Sequence, residues 1–165
     1  MSSPEVQVRQ AVFGDAEAIA TIIVRLFLET ESVRLDFGTQ LEVVKGILMD
    51  PSTGVFLLAI RNGEIAGQTL VRKQWLPWKN SHCWQISAVY VAEGHRQRGC
   101  YRALHAYVRQ LAKQEGATAL RLGVSSSNER AKKTYKALDM HQTGRVYHLG
   151  MLFGEDPTQS AEEAP

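Results

Sequence analysis

A basic, glycine-containing segment at residues 95–104 joins an apolar stretch, residues 86–91, to an amphipathic one. The apolar stretch predicts a buried β-strand, and the apolar positions after the segment recur at helical spacing. A basic turn between a strand and a helix gathers backbone N–H groups at the positive end of the helix dipole, which suits phosphate or pyrophosphate. The segment therefore predicts an α/β chain with an anion site at one strand–helix junction. By itself, it is equally compatible with a helix start whose arginines face solvent.

The chain length and composition predict one ordinary globular domain. With 165 residues, 44% of them apolar, the chain can bury a sizeable core, and we expect the domain to cover residues 1–154 with an acidic tail at 155–165. A net charge of +2 is too small to indicate a nucleic-acid-binding protein. Cys83 and Cys100 predict buried thiols, with neither a disulfide framework nor a metal site. No signal peptide or membrane span is recognisable, so we expect a soluble cytoplasmic protein.

The predicted elements follow the order strand, two helices, three strands, helix, strand, helix, strand. The predicted strands cover residues 6–12, 55–60, 64–75, 83–91, 119–124 and 146–153. The helices are expected to start at residue 14, at residue 39, within the basic segment, and at Ser126, where Ser126 and Glu129 would form a capping box. Residues 29–38 read as a charged loop, and the Asn62-Gly63 pair predicts a tight hairpin turn. This order indicates a mixed sheet with helices on both faces.

Two common nucleotide motifs do not account for the basic segment. No Gly-Lys-Ser/Thr follows it, so the segment is not the phosphate loop of a nucleoside triphosphatase. It contains one glycine, and no acidic residue ends the next predicted strand, so it is not a dinucleotide fingerprint either.

A second group of residues lies downstream. Asn128 stands at a predicted helix start, and Tyr135 follows seven residues later, two helical turns along the same face. With these residues, the chain resembles the GNAT superfamily of acetyl-CoA-dependent N-acetyltransferases. Arg96-x-x-Gly99 matches the family's Arg/Gln-x-x-Gly-x-Gly/Ala turn, and Asn128 followed by the sequence at 135–140, Tyr-Lys-Ala-Leu-Asp-Met, matches its Asn and Tyr-x-x-Leu-Gly-Met/Phe. The element order fits that fold over about residues 6–153, which implies a mixed, mostly antiparallel sheet.

The resemblance implies roles for the matching positions, with acetyl-CoA as the cosubstrate. The backbone of one strand end would pair with the pantetheine arm (Val89, Tyr90 and Val91). The N–H groups of the basic turn would hold the pyrophosphate (Arg96, Gln97, Arg98, Gly99, Cys100 and Tyr101). Asn128 would hydrogen-bond the pantetheine, and Tyr135 would protonate the leaving thiolate as general acid. A phenol with a pKa near 10 is reasonably matched to a thiol.

Two residues depart from the family pattern. Tyr101 replaces the small residue that ends the turn, and its side chain is tolerated only if it points into the domain or along the cofactor. Asp139 replaces the glycine after Leu138, so we expect Asp139 to adopt a left-handed backbone conformation.

The general base is less well defined. In the histone acetyltransferase branch of the superfamily, a glutamate precedes the turn, but Gln85 stands there in this chain, and an amide cannot accept the proton. Glu29, Glu31, His82 and His148 are the candidates, although residues of these types at such positions are more often solvated surface residues. Glu31 is slightly favoured because its loop borders the acceptor pocket in this fold, and a water chain is an equal competitor.

The acceptor is expected to be an amine of a small molecule or peptide. Trp75, Trp78 and Trp84 could form an aromatic wall for it, together with Glu29, or could serve core and hairpin packing. The leading hypothesis is an N-acetyltransferase, with a possible homodimer and no metal, nucleic acid or membrane partner. The alternative is a non-catalytic acyl-CoA-binding sensor.

Overall fold

A computed structural model describes residues 5–145, in which five strands form one sheet in the order β1-β2-β3-β4-β5. The elements in chain order are β1 (Gln7–Gln10), α1 (Ala16–Glu31), α2 (Phe37–Met49), β2 (Val55–Arg61), β3 (Glu64–Leu76), β4 (Ser81–Val91), α3 (Cys100–Gln114), β5 (Ala119–Leu122) and α4 (Glu129–Lys136). The first three pairings are antiparallel and β4 pairs with β5 in parallel, which confirms the predicted mixed, mostly antiparallel sheet. None of the described helices is long and apolar enough to cross a membrane.

Helices pack on both faces of the sheet, as expected. Along β2, Leu57 faces the core beneath α3, whereas Phe56 and Leu58 face the core beneath α1 and α2. Because this strand is buried on both faces, its sequence is almost continuously apolar rather than alternating. The inward residues of α3 recur every three to four positions, at Cys100, Leu104, Val108 and Ala112.

The predicted hairpin turn between β2 and β3 is confirmed. Asn62 and Gly63 both have positive φ angles, 55° and 79°, and Arg61 pairs directly with Glu64. This is the turn geometry that matches the twist of two antiparallel strands, and asparagine and glycine adopt it at low cost.

The predicted loop at residues 29–38 is wrong at its start, because α1 continues through Glu31. The apolar pattern that marks the helix stops at Phe27, but glutamate is a good helix former, so the hydrogen-bond ladder extends beyond the last buried residue. The helix ends at Ser32, whose φ of 56° is left-handed and whose N–H donates to the Phe27 carbonyl. Helix α2 then begins two residues before the predicted start, where the Asp36 carboxylate accepts from the Thr39 N–H at 2.7 Å.

The predicted capping box at Ser126 is also wrong. Helix α4 begins at Glu129, and Asn128 is its N-cap, with Oδ1 accepting from the Ala131 N–H at 3.0 Å. The Ser126 carbonyl instead accepts from Lys132. An asparagine next to the first helical residue reaches the N3 amide directly, so it takes the capping position in place of the serine. The predicted strand at 146–153 and the tail at 155–165 lie outside the described residues.

Acidification should destabilise this fold through His105. The imidazole is 5% exposed, and burial, aided by Arg109, lowers the pKa of His105. In the unfolded chain, His105 takes up a proton near the ordinary histidine pKa of about 6.5, whereas in the folded protein it is protonated only at lower pH. The free energy of unfolding therefore decreases as the pH falls below about 6.5. Between about pH 7.5 and about pH 5.5, the melting temperature of the wild type should fall further than that of His105→Leu. The exposed His82, replaced by Gln, is the matched control, and an equal fall in all three proteins would contradict the prediction.

Candidate active site

Strands β4 and β5 diverge after a short parallel pairing. The register runs from Cys83 opposite Ala119 to Ile86 opposite Leu122, where β5 ends and β4 continues for five more residues. Within this extension Ala88 has a φ of 47°, and the register with β3 shifts, which marks a bulge. On its β5 side, no other strand in residues 5–145 pairs with β4 beyond Ile86. An exposed strand edge of this kind can hydrogen-bond an extended ligand as a further strand would.

A cleft of about 880 Å³ opens at this divergence. Four segments line it: the C-terminal part of α1, the end of β4, the basic turn with the start of α3, and α4. The sequence-predicted residues that it brings together are Val89, Tyr90, Val91, Arg96, Gln97, Gly99, Tyr101, Asn128, Tyr135 and Glu29. Three further cationic side chains, Arg102, Arg130 and Lys133, also line the cleft. Arg102 belongs to the basic segment that predicted the anion site, whereas Arg130 and Lys133 were missed by the sequence analysis. The three-residue spacing of Arg130 and Lys133 on one helical face was a signal that could have identified them.

The basic turn has the backbone geometry of an anion site. Gln97 and Gly99 have φ angles of 60° and 81°, and Gly99 is the N-cap of α3. Among the described residues, no side chain accepts a hydrogen bond from the first N–H groups of this helix, which therefore remain available to an anion. The Arg98 side chain is exposed and the Cys100 side chain is buried in the core. Neither residue is among those that line the cleft. Any contact from these two residues to an anion would come from the backbone.

Arg96, Glu29 and Tyr90 form a network that ties α1 to β4 and to the basic turn. The Arg96 guanidinium donates through Nε to the Val91 carbonyl at 2.9 Å and through a terminal nitrogen to the Glu29 carboxylate at 2.6 Å. The Tyr90 hydroxyl donates to the other Glu29 oxygen at 2.8 Å. Burial disfavours the Glu29 carboxylate, but these two hydrogen bonds outweigh it and lower the pKa of Glu29. Glu29 is therefore held as an anion, and the Arg96 side chain is directed toward α1 and Val91.

Tyr135 lies beside Tyr101. Their ring centroids are 5.6 Å apart, with the planes at 69°, an edge-to-face contact. Burial raises the pKa of Tyr135 and raises that of Tyr101 well above its usual value. Both phenols therefore keep their protons at neutral pH. The Tyr101 hydroxyl is buried with no hydrogen-bond partner among the described residues, so the end of this bulky side chain is turned away from solvent.

Two details of α4 bear on the predicted site. Because Asn128 uses Oδ1 to cap the helix, its amide nitrogen is the group left to donate to a ligand in the cleft. Asp139, just beyond the helix, has a φ of 59°, which confirms the predicted left-handed conformation. The departure from glycine at this position is thus accommodated by a residue type that tolerates it.

Apart from Glu29, the described residues predicted as general base or acceptor contacts lie outside the cleft lining. Glu31 is exposed at the last position of α1 and is not among the cleft-lining residues, and His82 is exposed at the other end of β4. Trp75 and Trp78 are 54% and 71% exposed at the β3–β4 hairpin, while Trp84 is 5% exposed in the core beneath α3. His148 lies outside the described residues. No group of three or more His, Cys, Asp or Glu side chains in residues 5–145 could hold a metal ion.

Comparisons with known proteins agree with this geometry. The model of the acetyltransferase (GNAT) family matches residues 20–140. A possible acetyltransferase from Clostridium difficile 630 superposes with a TM-score of 0.83 at 26% identity, over 90% of this chain and 99% of that chain. A predicted acetyltransferase from Clostridium acetobutylicum, solved with acetyl-CoA, has a TM-score of 0.74 at 17% identity, over 90% and 97% of the two chains. An aminoglycoside N-acetyltransferase in complex with CoA has a TM-score of 0.77 at 18% identity, over 92% and 98%. No curated protein matches the chain.

These findings confirm the family and fold class that the motifs between residues 96 and 140 predicted. They also support acetyl-CoA as the cosubstrate. The family match spans most of the chain, and the C. difficile structure shares the fold along nearly its whole length. The chain belongs to the acetyltransferase (GNAT) family.

Proposed function

We propose that this protein transfers the acetyl group of acetyl-CoA to a primary amine of a small molecule or peptide, with Tyr135 as general acid. The proposal rests on the cleft at the divergence of β4 and β5. An open strand edge, the basic turn and the protonated phenol of Tyr135 all line this one cleft. Each of these three features suits one part of the same ligand.

The cofactor would be held along its length by different chemistry. The free backbone edge at Val89–Val91 would pair with the amides of the pantetheine arm, and the Asn128 amide nitrogen would donate to it. The backbone N–H groups from Arg96 to Tyr101 would hold the pyrophosphate. Arg102, Arg130 and Lys133 would add positive charge around the phosphates.

Acyl transfer needs a proton at the departing sulfur. Acetyl-CoA supplies the acyl group as a thioester, and attack of the amine nitrogen on its carbonyl carbon breaks the carbon–sulfur bond. Tyr135 would give its phenolic proton to the departing thiolate and would later regain one from solvent. Burial raises the pKa of Tyr135, which keeps this proton in place at neutral pH.

The attacking amine must also lose a proton. Glu29 lines the cleft, but its ion pair with Arg96 and its lowered pKa make it a weak base. We therefore assign Glu29 to the acceptor side of the cleft, where it orients Arg96 and Tyr90. Because Glu31, the base favoured by the sequence, is outside the lining, a water chain to solvent would carry the proton away.

Replacing Tyr135 by Phe tests the general acid. The variant should lower kcat about a hundredfold, because general acid catalysis contributes on that order. The dissociation constant for coenzyme A should change by less than about twofold, since no binding role is assigned to the hydroxyl. Release of free thiol with a panel of amines measures turnover, and calorimetry measures binding.

Tyr107→Phe, at a half-buried position of α3 outside the cleft lining, is the control. Unchanged turnover would remove Tyr135 from the mechanism, and tight acetyl-CoA binding without thiol release from any amine would favour a sensor.

Replacing Gly99 by Ala tests the pyrophosphate site. A Cβ there meets no atom within 4 Å, so the cost comes from its φ of 81°, a conformation that strains an L-residue by about 1–2 kcal/mol. If the turn relaxes to relieve this strain, its N–H groups move and coenzyme A binding should weaken by roughly tenfold. Gly94→Ala is the matched control, because Gly94 lies in the same connection between β4 and α3, has no positive φ and leaves room for a Cβ, so this variant should bind coenzyme A normally. Equal affinities of the two variants would contradict the assignment.

A further inference from the structure

A second, smaller pocket of about 450 Å³ lies on the sheet near the cleft. Arg72, Lys73 and Gln74 on β3, Gln85 on β4, Arg121 on β5 and Gly123 line it. We call the side chains of Arg72, Gln74, Gln85 and Arg121 the arginine pocket. The mechanism above uses none of them.

The arginine pocket opens on the same face of the sheet as the Glu29 network. Arg72, Gln85 and Arg121 lie opposite one another in the register, so their side chains share a face. Gln85 and Tyr90 are five positions apart, which would place them on opposite faces of a regular strand. The bulge at Ala88 adds one residue to β4 and so brings Tyr90 onto the same face as Gln85. Tyr90 contacts Glu29 of α1, so both sites face α1.

The charge of the arginine pocket is not neutralised by a carboxylate of the described residues. Arg121 donates through Nε to the Gln85 side-chain oxygen at 2.8 Å and through a terminal nitrogen to the Gln74 side-chain oxygen. Both partners are neutral amides. Arg72 forms no ion pair within residues 5–145, whereas Arg96 is paired with Glu29.

The two glutamines also orient the Arg121 guanidinium. They occupy two of its five N–H donors, and the remaining donors have no hydrogen-bond partner in the described part of the chain. A guanidinium held in one orientation, with donors left over and a second arginine beside it, is suited to a carboxylate. The same pair of positive charges repels a cationic ligand.

We propose that the arginine pocket binds a carboxylate of the acceptor, so that this enzyme acetylates amino acids or short peptides with a free carboxylate in preference to polycationic amines. The inference rests on the proposed function, because it assigns the acceptor class for that reaction. Gln85 and Val89 are four positions apart on β4, about 13 Å at about 3.3 Å per residue. An extended peptide of two or three residues can therefore reach from the pocket toward the cleft.

A pair of peptides isolates the carboxylate. Triglycine and triglycinamide share the same amine and differ at the far end, so amine basicity is nearly matched between them. We expect kcat/KM to be about tenfold higher for triglycine, which is what a charge-assisted hydrogen bond contributes, mostly through KM. Free glycine and spermidine extend the series to a shorter carboxylate-bearing amine and to a polycation, and spermidine should be the poorest acceptor.

Variants then assign the preference to the pocket. Arg121→Gln and the exposed Arg72→Gln should each reduce the triglycine preference severalfold, and Gln85→Glu should do the same by supplying a competing carboxylate. Lys113→Gln, an exposed lysine on α3 with the same charge change, should retain the preference. The inference is overturned if triglycinamide or spermidine is used as well as triglycine, or if all three pocket variants retain the wild-type preference.

A binding measurement keeps the two proposals separate. Calorimetry with the coenzyme A-bound protein should give triglycine an about tenfold lower dissociation constant than triglycinamide, and Arg121→Gln should abolish this difference. If this binding preference is found but no amine releases thiol from acetyl-CoA, the proposed function fails and the carboxylate pocket stands. If thiol is released but neither assay separates the two peptides, the carboxylate pocket fails and the function stands.

Discussion

The divergence of β4 from β5 after Ile86 is the constraint on which the site depends. If the two strands remained paired along their whole length, their facing backbone N–H and C=O groups would be hydrogen-bonded to each other and no cleft would open between them. Here the bulge at Ala88 and the early end of β5 leave a strand edge open in the middle of the domain. The cleft, the turn at the end of β4 and the N-terminus of α4 are all arranged around that opening.

Ion pairs determine where positive charge is available. Arg96 is neutralised by Glu29 and also donates to Val91, so it stabilises the end of β4, and the proposed phosphate-binding role falls to the backbone of the turn. Arg121 is held by two amides and retains its full charge. The contrast gives one arginine a structural role and makes the other a candidate for recognition of an anion.

Tyr101 illustrates how a departure from a family pattern can be accommodated. In place of a small residue at the turn, this chain has a large ring that packs edge-on against Tyr135. The contact fills space beside the proposed general acid and contributes to the low polarity that keeps both phenols protonated. The substitution therefore changes the surroundings of Tyr135 without obstructing the backbone of the turn.

The sequence by itself determined the features that depend on neighbours along the chain. The strand, basic turn and helix around Gly99, the hairpin at Asn62-Gly63 and the left-handed Asp139 all follow from local backbone preferences, and the family followed from the spacing of such motifs. Only the tertiary structure decided which distant side chains meet. Tyr90 and Glu29 are 61 positions apart, and Arg121 and Gln85 are 36 apart. Such contacts depend on strand register and on where a helix ends, and these are set by packing across the whole sheet rather than by local preference.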